Sequence, residues 1–227
     1  MSKCLFIAGT ATDVGKTFIS ALVVKCLRDA GLNAGYYKAA VSGVELDDKG
    51  KLIGGDPIYV NDFAKIGESA ENLVSYVYSQ PVSPHLAARL NNRPMDFSTV
   101  KRDFNRAKSK YDYLVVEGSG GVICPLRWDN KIHFMLLDIV SAFNLPILLV
   151  AGAGLGTINS TVLTVDYLHR NNFKINAIIL NHYSDQIMEK DNLAMIEEMT
   201  NLPVVAKVQF DDDKLDINID TLINLFE

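Results

Sequence analysis

The sequence predicts an α/β protein, a doubly wound parallel sheet with helices on both faces. Three observations carry this expectation. Short continuous apolar runs such as DYLVVEG and LPILLVAG recur along the chain, separated by stretches of helical periodicity. The first run leads directly into GTATDVGKT, a glycine-rich turn that opens a helix, so the sheet is expected to be phosphate-loop (P-loop) NTPase-like. Finally, 227 residues, 48% hydrophobic and 22% charged, suit one globular domain with a sizeable core, and no linker or repeat divides residues 1–227.

In chain order, KCLFIAG (3–9) reads as the first strand, and Lys16 to Ala30 as a helix stopped by Gly31. AGYYKAAV (34–41) reads as the second strand. The polar, glycine-rich SGVELDDKGKLIGGDP (42–57) reads as a loop ending at Asp56. Helices are expected within 58–66, 84–91 and 96–109. DYLVVEG (112–118) and LPILLVAG (145–152) read as buried strands. A helix over 156–171, a strand over 176–181, a helix over 186–200, a strand over 202–208 and a short helix near 219–226 complete the pattern.

Composition excludes some classes of function. A formal net charge of -5 argues against a nucleic-acid or anionic-membrane surface. No run approaches the ~18 apolar residues of a membrane span. MSKCLFIAGT resembles a first strand rather than a secretion signal. Cys4, Cys26 and Cys124 are widely spaced and cannot all pair, as expected of reduced thiols in a cytoplasmic protein. His85, His133, His169 and His182 lack metal-ligand spacing. Trp128 reads as a packing residue.

Ligands of such a sheet bind beyond the carboxyl ends of its strands. The standard phosphate loop places four residues between its first glycine and Gly-Lys-Ser/Thr. Here TATDV places five between Gly9 and Gly15-Lys16-Thr17. The glycines allow several N–H groups to point inward, and the helix N-terminus adds a favourable dipole. Lys16 can reach the β- and γ-phosphates, and the Thr17 hydroxyl can ligate Mg²⁺. The alternative is an ordinary strand-to-helix turn. Glu117, at the end of an apolar strand, calls for a nearby cation, although a surface charge is the other reading. Asp56 is either a second carboxylate of that site or a turn residue. Lys38, inside GYYKAAV, either snorkels to solvent or holds a negative intermediate or a transferring phosphate.

Together GTATDVGKT, GYYKAAVSG, QPVSPHLAA, VVEGSGGVICPL and GLGTINST resemble, in order and spacing, the dethiobiotin synthases, over residues 3 to about 183. The five-residue spacing is that family's form. The resemblance implies an ATP- and Mg²⁺-dependent ligase of biotin synthesis that closes a cyclic urea on 7,8-diaminopelargonate (7,8-diaminononanoate) with CO₂ or bicarbonate. It implies that Lys38 stabilises the carbamate and the transferring phosphoryl group, and that Lys16 shares the γ-phosphate. Thr17, Asp56 and Glu117 would hold Mg²⁺. Asp13, Val14, Gly15, Lys16, Thr17 and Phe18 would cradle phosphates, with Glu117, Gly118, Ser119 and Gly120 opposite and Asn181 at the base. Thr12 and Ser42 match positions that touch the diamine or carbamate. Thr157, Ile158 and Asn159 would bind its carboxylate tail across a homodimer interface. His85 matches a family segment and reads as a structural hydrogen-bonder.

The chain departs from the family where Ala39 replaces the usual Pro after Lys38. It departs again where His182 replaces Asp or Arg, and where AKVQFDDD replaces a Gly-x-Ile-Pro stretch beside the base. Asp211–Asp213 read as a solvated turn. Two rivals are weighed. Cobyrinate-type amidases carry a glutaminase domain, for which this chain is too short. Partitioning ATPases place an additional lysine early in the loop, where this chain has Thr10, Ala11 and Thr12.

Overall fold

A computed structural model of the protein describes residues 2–49 and 52–227; Gly50 and Lys51 of the expected 42–57 loop lie outside them. The chain runs β1 (Lys3–Gly9), α1 (Lys16–Asp29), β2 (Ala34–Ser42), α2 (Asp56–Phe63), α3 (Ala70–Leu73) and β3 (Val74–Tyr78). It continues through α4 (Pro84–Leu90), α5 (Phe97–Lys110), β4 (Tyr113–Glu117), β5 (Pro125–Trp128), β6 (His133–Met135) and α6 (Leu136–Phe143). The last part holds β7 (Ile147–Gly152), α7 (Thr157–Arg170), β8 (Ile175–Asn181), α8 (Ile187–Thr200), β9 (Val204–Val208) and α9 (Ile219–Asn224).

Seven strands form one sheet in the order β3-β2-β4-β1-β7-β8-β9. Every adjacent pair is parallel. Side chains alternate across a strand, so each apolar run feeds two cores. Leu5 and Ile7 of β1 and Tyr36 of β2 pack with α1, α2 and α9 on one face. Cys4, Phe6, Ala8 and Tyr37 pack with α4 to α8 on the other. This is the doubly wound arrangement the apolar runs predict. Full burial of a side chain such as Ile7 or Phe6 contributes ~1.5–3 kcal/mol. Among the described residues no helix is long and apolar enough to cross a membrane.

The sequence reading omitted β3, the β5–β6 hairpin, α3 and α6. It read Trp128 as a packing residue. That residue is 54% exposed on the hairpin, its ring stacked on His133 at 4.0 Å between centroids. The helix expected within 58–66 opens at Asp56, so this carboxylate stands at the first turn of α2 rather than in a loop.

Candidate active site

The geometry begins at Gly15. Its φ of +92° is left-handed, and a Cβ there would lie 2.0 Å from Asn181 Nδ2. Glycine is therefore required on both conformational and steric grounds. Asn181, fully buried at the end of β8, donates from Nδ2 to Val14 O at 3.0 Å and props the loop from below. Its Oδ1 is buried without a partner. The Lys16 ammonium turns back to donate to Ala11 O at 3.0 Å. Burial, joined by the like charge of Lys38, lowers its pKa.

Across the loop stand β2 and β4, paired so that Lys38 lies directly beside Glu117. Both point to the α1 face. The Lys38 ammonium donates to Glu117 Oε1 and to Asp56 Oδ2, each at 2.5 Å. Thr17, in the first turn of α1, donates its hydroxyl to the same Glu117 Oε1 at 2.8 Å. The other oxygen, Oε2, accepts the Tyr36 hydroxyl at 2.8 Å. Burial alone would lower the Lys38 pKa, but the charges of Glu117 and Asp56 outweigh it and hold it raised. Burial likewise would raise Asp56, and Lys38 reverses this and holds the carboxyl below its usual range. The Glu117 side chain is fully buried whereas that of Asp56 is 39% exposed, so solvent screens the second pair more. Burial, then the Glu117 charge, keeps the Tyr36 phenol well above its ordinary value.

These groups line a cavity of about 800 Å³ that brings together Thr12, Asp13, Gly15, Lys16, Thr17, Lys38, Ser42, Asp56, Glu117, Ser119 and Gly120. Pro81–Pro84 and Ile123–Pro125 close its far side. Ser42 donates to Val82 O at 2.7 Å and Ser119 to Ala40 O at 2.9 Å, stitching the walls together. Cys124 also lines it, and burial pushes its thiol up to about 11 against the pull of Lys16 and Lys38.

Other expected residues stand outside the cavity. Val14 and Phe18 pack into the α1-side core, Phe18 edge-on to Phe63. Gly118 leaves room for the Phe6 ring, 2.9 Å from where its Cβ would stand. Thr157, Ile158 and Asn159 open α7, away from the cavity, and the Thr157 hydroxyl is committed to Gly152 O at 2.5 Å. His85 Nδ1 is buried without a hydrogen-bond partner. Sequence reasoning missed Tyr36. A tyrosine in an apolar strand reads as core, and only its two-residue spacing from Lys38 placed it on the same face.

A family model described as an AAA domain matches residues 3–215. The ATP-dependent dethiobiotin synthetase BioD of Clostridium botulinum (strain Alaska E43 / Type E3) is 45% identical over 228 residues, covering 100% of this chain and 99% of the relative. The synthetase of the same name from Brachyspira hyodysenteriae (strain ATCC 49526 / WA1) is 46% identical, covering 98% and 99%. The chain belongs to the dethiobiotin synthetase family. Among solved structures, the MinD cell division protein of Aquifex aeolicus has a TM-score of 0.56 at 11% identity, covering 99% of this chain and 86% of that one. The ParA family ATPase from Chlorobium tepidum TLS has 0.55 at 14%, covering 94% and 87%. These neighbours share the fold with this dethiobiotin synthetase family member. At such identity, activity does not follow from the likeness.

Proposed function

We propose that the cavity makes dethiobiotin from 7,8-diaminopelargonate, CO₂ and ATP, as an ATP-dependent ligase of biotin biosynthesis, with residues 1–227 acting as one domain. One amine of the diamine takes up CO₂ and loses a proton, forming a carbamate. A carbamate oxygen attacks the γ-phosphorus and displaces ADP, giving a carbamic-phosphoric anhydride. The second amine attacks the anhydride carbon. A C–N bond forms, phosphate leaves with the C–O electron pair, and the amine proton is released. Phosphorylation is needed because a carbamate carbon resists amine attack until it carries a good leaving group.

The chain's contribution is positioning and charge neutralisation. Lys38 faces the carbamate and the transferring phosphoryl group, and Lys16 takes the γ-phosphate when phosphate competes with Ala11 O. The amides of Asp13 to Phe18 cradle the phosphates, Glu117, Ser119 and Gly120 form the opposite wall, and Asn181 stands on the base side. Thr12 and Ser42 meet the diamine. Thr157, Ile158 and Asn159 take its carboxylate tail from a second copy in a homodimer. Three unpaired cysteines support a cytoplasmic setting.

The donor set suits Mg²⁺. Thr17, Asp56 and Glu117 offer hard oxygens to the same cavity, where the Lys38 ammonium bridges the two carboxylates and Mg²⁺ would share them when Lys38 turns to the substrates. When bound there, Mg²⁺ would neutralise charge on the phosphate oxygens.

The observation that carries this reading is the convergence of Lys38, Glu117 and Asp56 on the cavity that also holds the phosphate-loop lysine. Phosphate release from ATP should require both the diamine and bicarbonate, with dethiobiotin detected by mass. Hydrolysis indifferent to the diamine would overturn the assignment.

A further inference from the structure

We propose that Tyr36 is a positioning residue for Glu117, fixing the carboxylate so that Oε1 faces Thr17, Asp56 and Lys38. This rests on the Mg²⁺–nucleotide reading of the cavity and names a residue outside its binding set. Tyr36 and Lys38 are two residues apart on β2 and share a face, while their β4 partners are Val115 and Glu117. The Tyr36 ring is fully buried among Leu5, Ile7 and Val115, so its hydroxyl is delivered from a rigid base.

The two oxygens of Glu117 divide their partners. Oε1 accepts from Thr17 and Lys38, both assigned to phosphate, metal or carbamate during turnover. Oε2 accepts from Tyr36, which lines no part of the cavity. When Thr17 and Lys38 turn to the substrates, Tyr36 is the donor that stays. The terminal torsion of a glutamate is broad, and the buried side chain of Glu117 has no bulk water to hold it. Without the phenol the carboxylate can rotate, and its orientation relative to Thr17 is lost. Partners behind a metal-binding carboxylate are generally worth roughly 10- to 100-fold in metal affinity or activity.

The neighbouring tyrosine supplies a matched control. Tyr37 is as buried as Tyr36 but faces the opposite core, where its hydroxyl meets Ser75 Oγ at 2.7 Å and Val100 O at 3.2 Å. Tyr36→Phe and Tyr37→Phe each delete one buried hydroxyl and keep the ring.

The test titrates Mg²⁺ against binding of a fluorescent N-methylanthraniloyl ADP, alongside dethiobiotin formation and thermal melting. Tyr36→Phe should need about 10- to 100-fold more Mg²⁺ for half-maximal nucleotide binding and for turnover. Tyr37→Phe should keep the wild-type Mg²⁺ curve whatever it does to the melting temperature. An unchanged Mg²⁺ curve in Tyr36→Phe, or equal shifts in both variants, would overturn the proposal. A wild-type protein that forms no dethiobiotin would instead remove the functional reading beneath it.

Discussion

Lys38 carries the highest stakes of any single residue. Its ammonium is the cation between two carboxylates, one of them fully buried. Removing one partner of a buried pair leaves an uncompensated charge, at a cost of ~3–5 kcal/mol. Lys38→Met should therefore melt well below wild type without Mg²⁺ and recover part of that loss as Mg²⁺ is added. Its dethiobiotin turnover should fall by roughly 10³-fold, the scale of losing a charge that stabilises the transition state. Single-turnover kinetics and melting curves check both halves, and near-normal turnover would take Lys38 out of the chemistry. Gly15→Ala should be as damaging for a steric reason, because its Cβ would collide with Asn181 at a left-handed backbone position. Nucleotide binding should be lost with ~1–3 kcal/mol of stability, measured by calorimetry and denaturant titration. Lys38 and Glu117 were legible because charged residues in apolar strands need an explanation, whereas Asp56, at the end of a polar loop, was separated from a turn residue only by the family resemblance. Tyr36 was not, since its hydroxyl is invisible in an apolar pattern.

At the scale of elements, the strands of the sheet centre were legible as unbroken apolar runs, buried on both faces. β3 was not. As an edge strand it alternates buried and half-buried residues in VSYVY, and it follows a four-residue helix with no turn signal between them. α6 was missed for a related reason, as it begins at the residue after β6 and is only 8 residues long. The edge is tied down by Glu68, ahead of α3, which accepts from Lys110 Nζ at 2.6 Å, Asn72 Nδ2 at 2.9 Å and the Ser69 amide at 2.9 Å. Burial would raise its pKa, but these donors dominate and hold it at about 2 against an ordinary 4.5. A depressed carboxylate stabilises the fold above its unfolded pKa and loses that contribution as pH falls from 4.5 towards 2. Lys110 is partly exposed, so solvent screening limits the contribution to about 1 kcal/mol. Glu68→Gln should melt a few degrees below wild type at pH 7, and the gap should begin to narrow below pH 4.5 and close only as pH approaches 2. A gap of undiminished size at pH 2 would show that the loss is one of packing rather than charge.

At the scale of the molecule, the cavity holds the groups proposed for nucleotide, metal and carbamate, whereas the residues expected for the diamine tail stand at the start of α7. Leu155, beside them, is 94% exposed, and Leu163 on α7 is 60% exposed, and the proposed homodimer would bring a second copy to this end of α7. If each site is built from two chains, defects in different chains can complement. Lys38→Ala destroys the cavity of its own chain but leaves its α7 intact, whereas Asn159→Glu spoils the tail contact and leaves its cavity intact. In a hybrid dimer one site then inherits both defects and the other inherits neither. Refolding the two inactive variants together at equal concentration makes half the dimers hybrid, so activity should return to about a quarter of the wild-type level. If α7 serves the cavity of its own chain, every site in the mixture carries a defect and no activity returns.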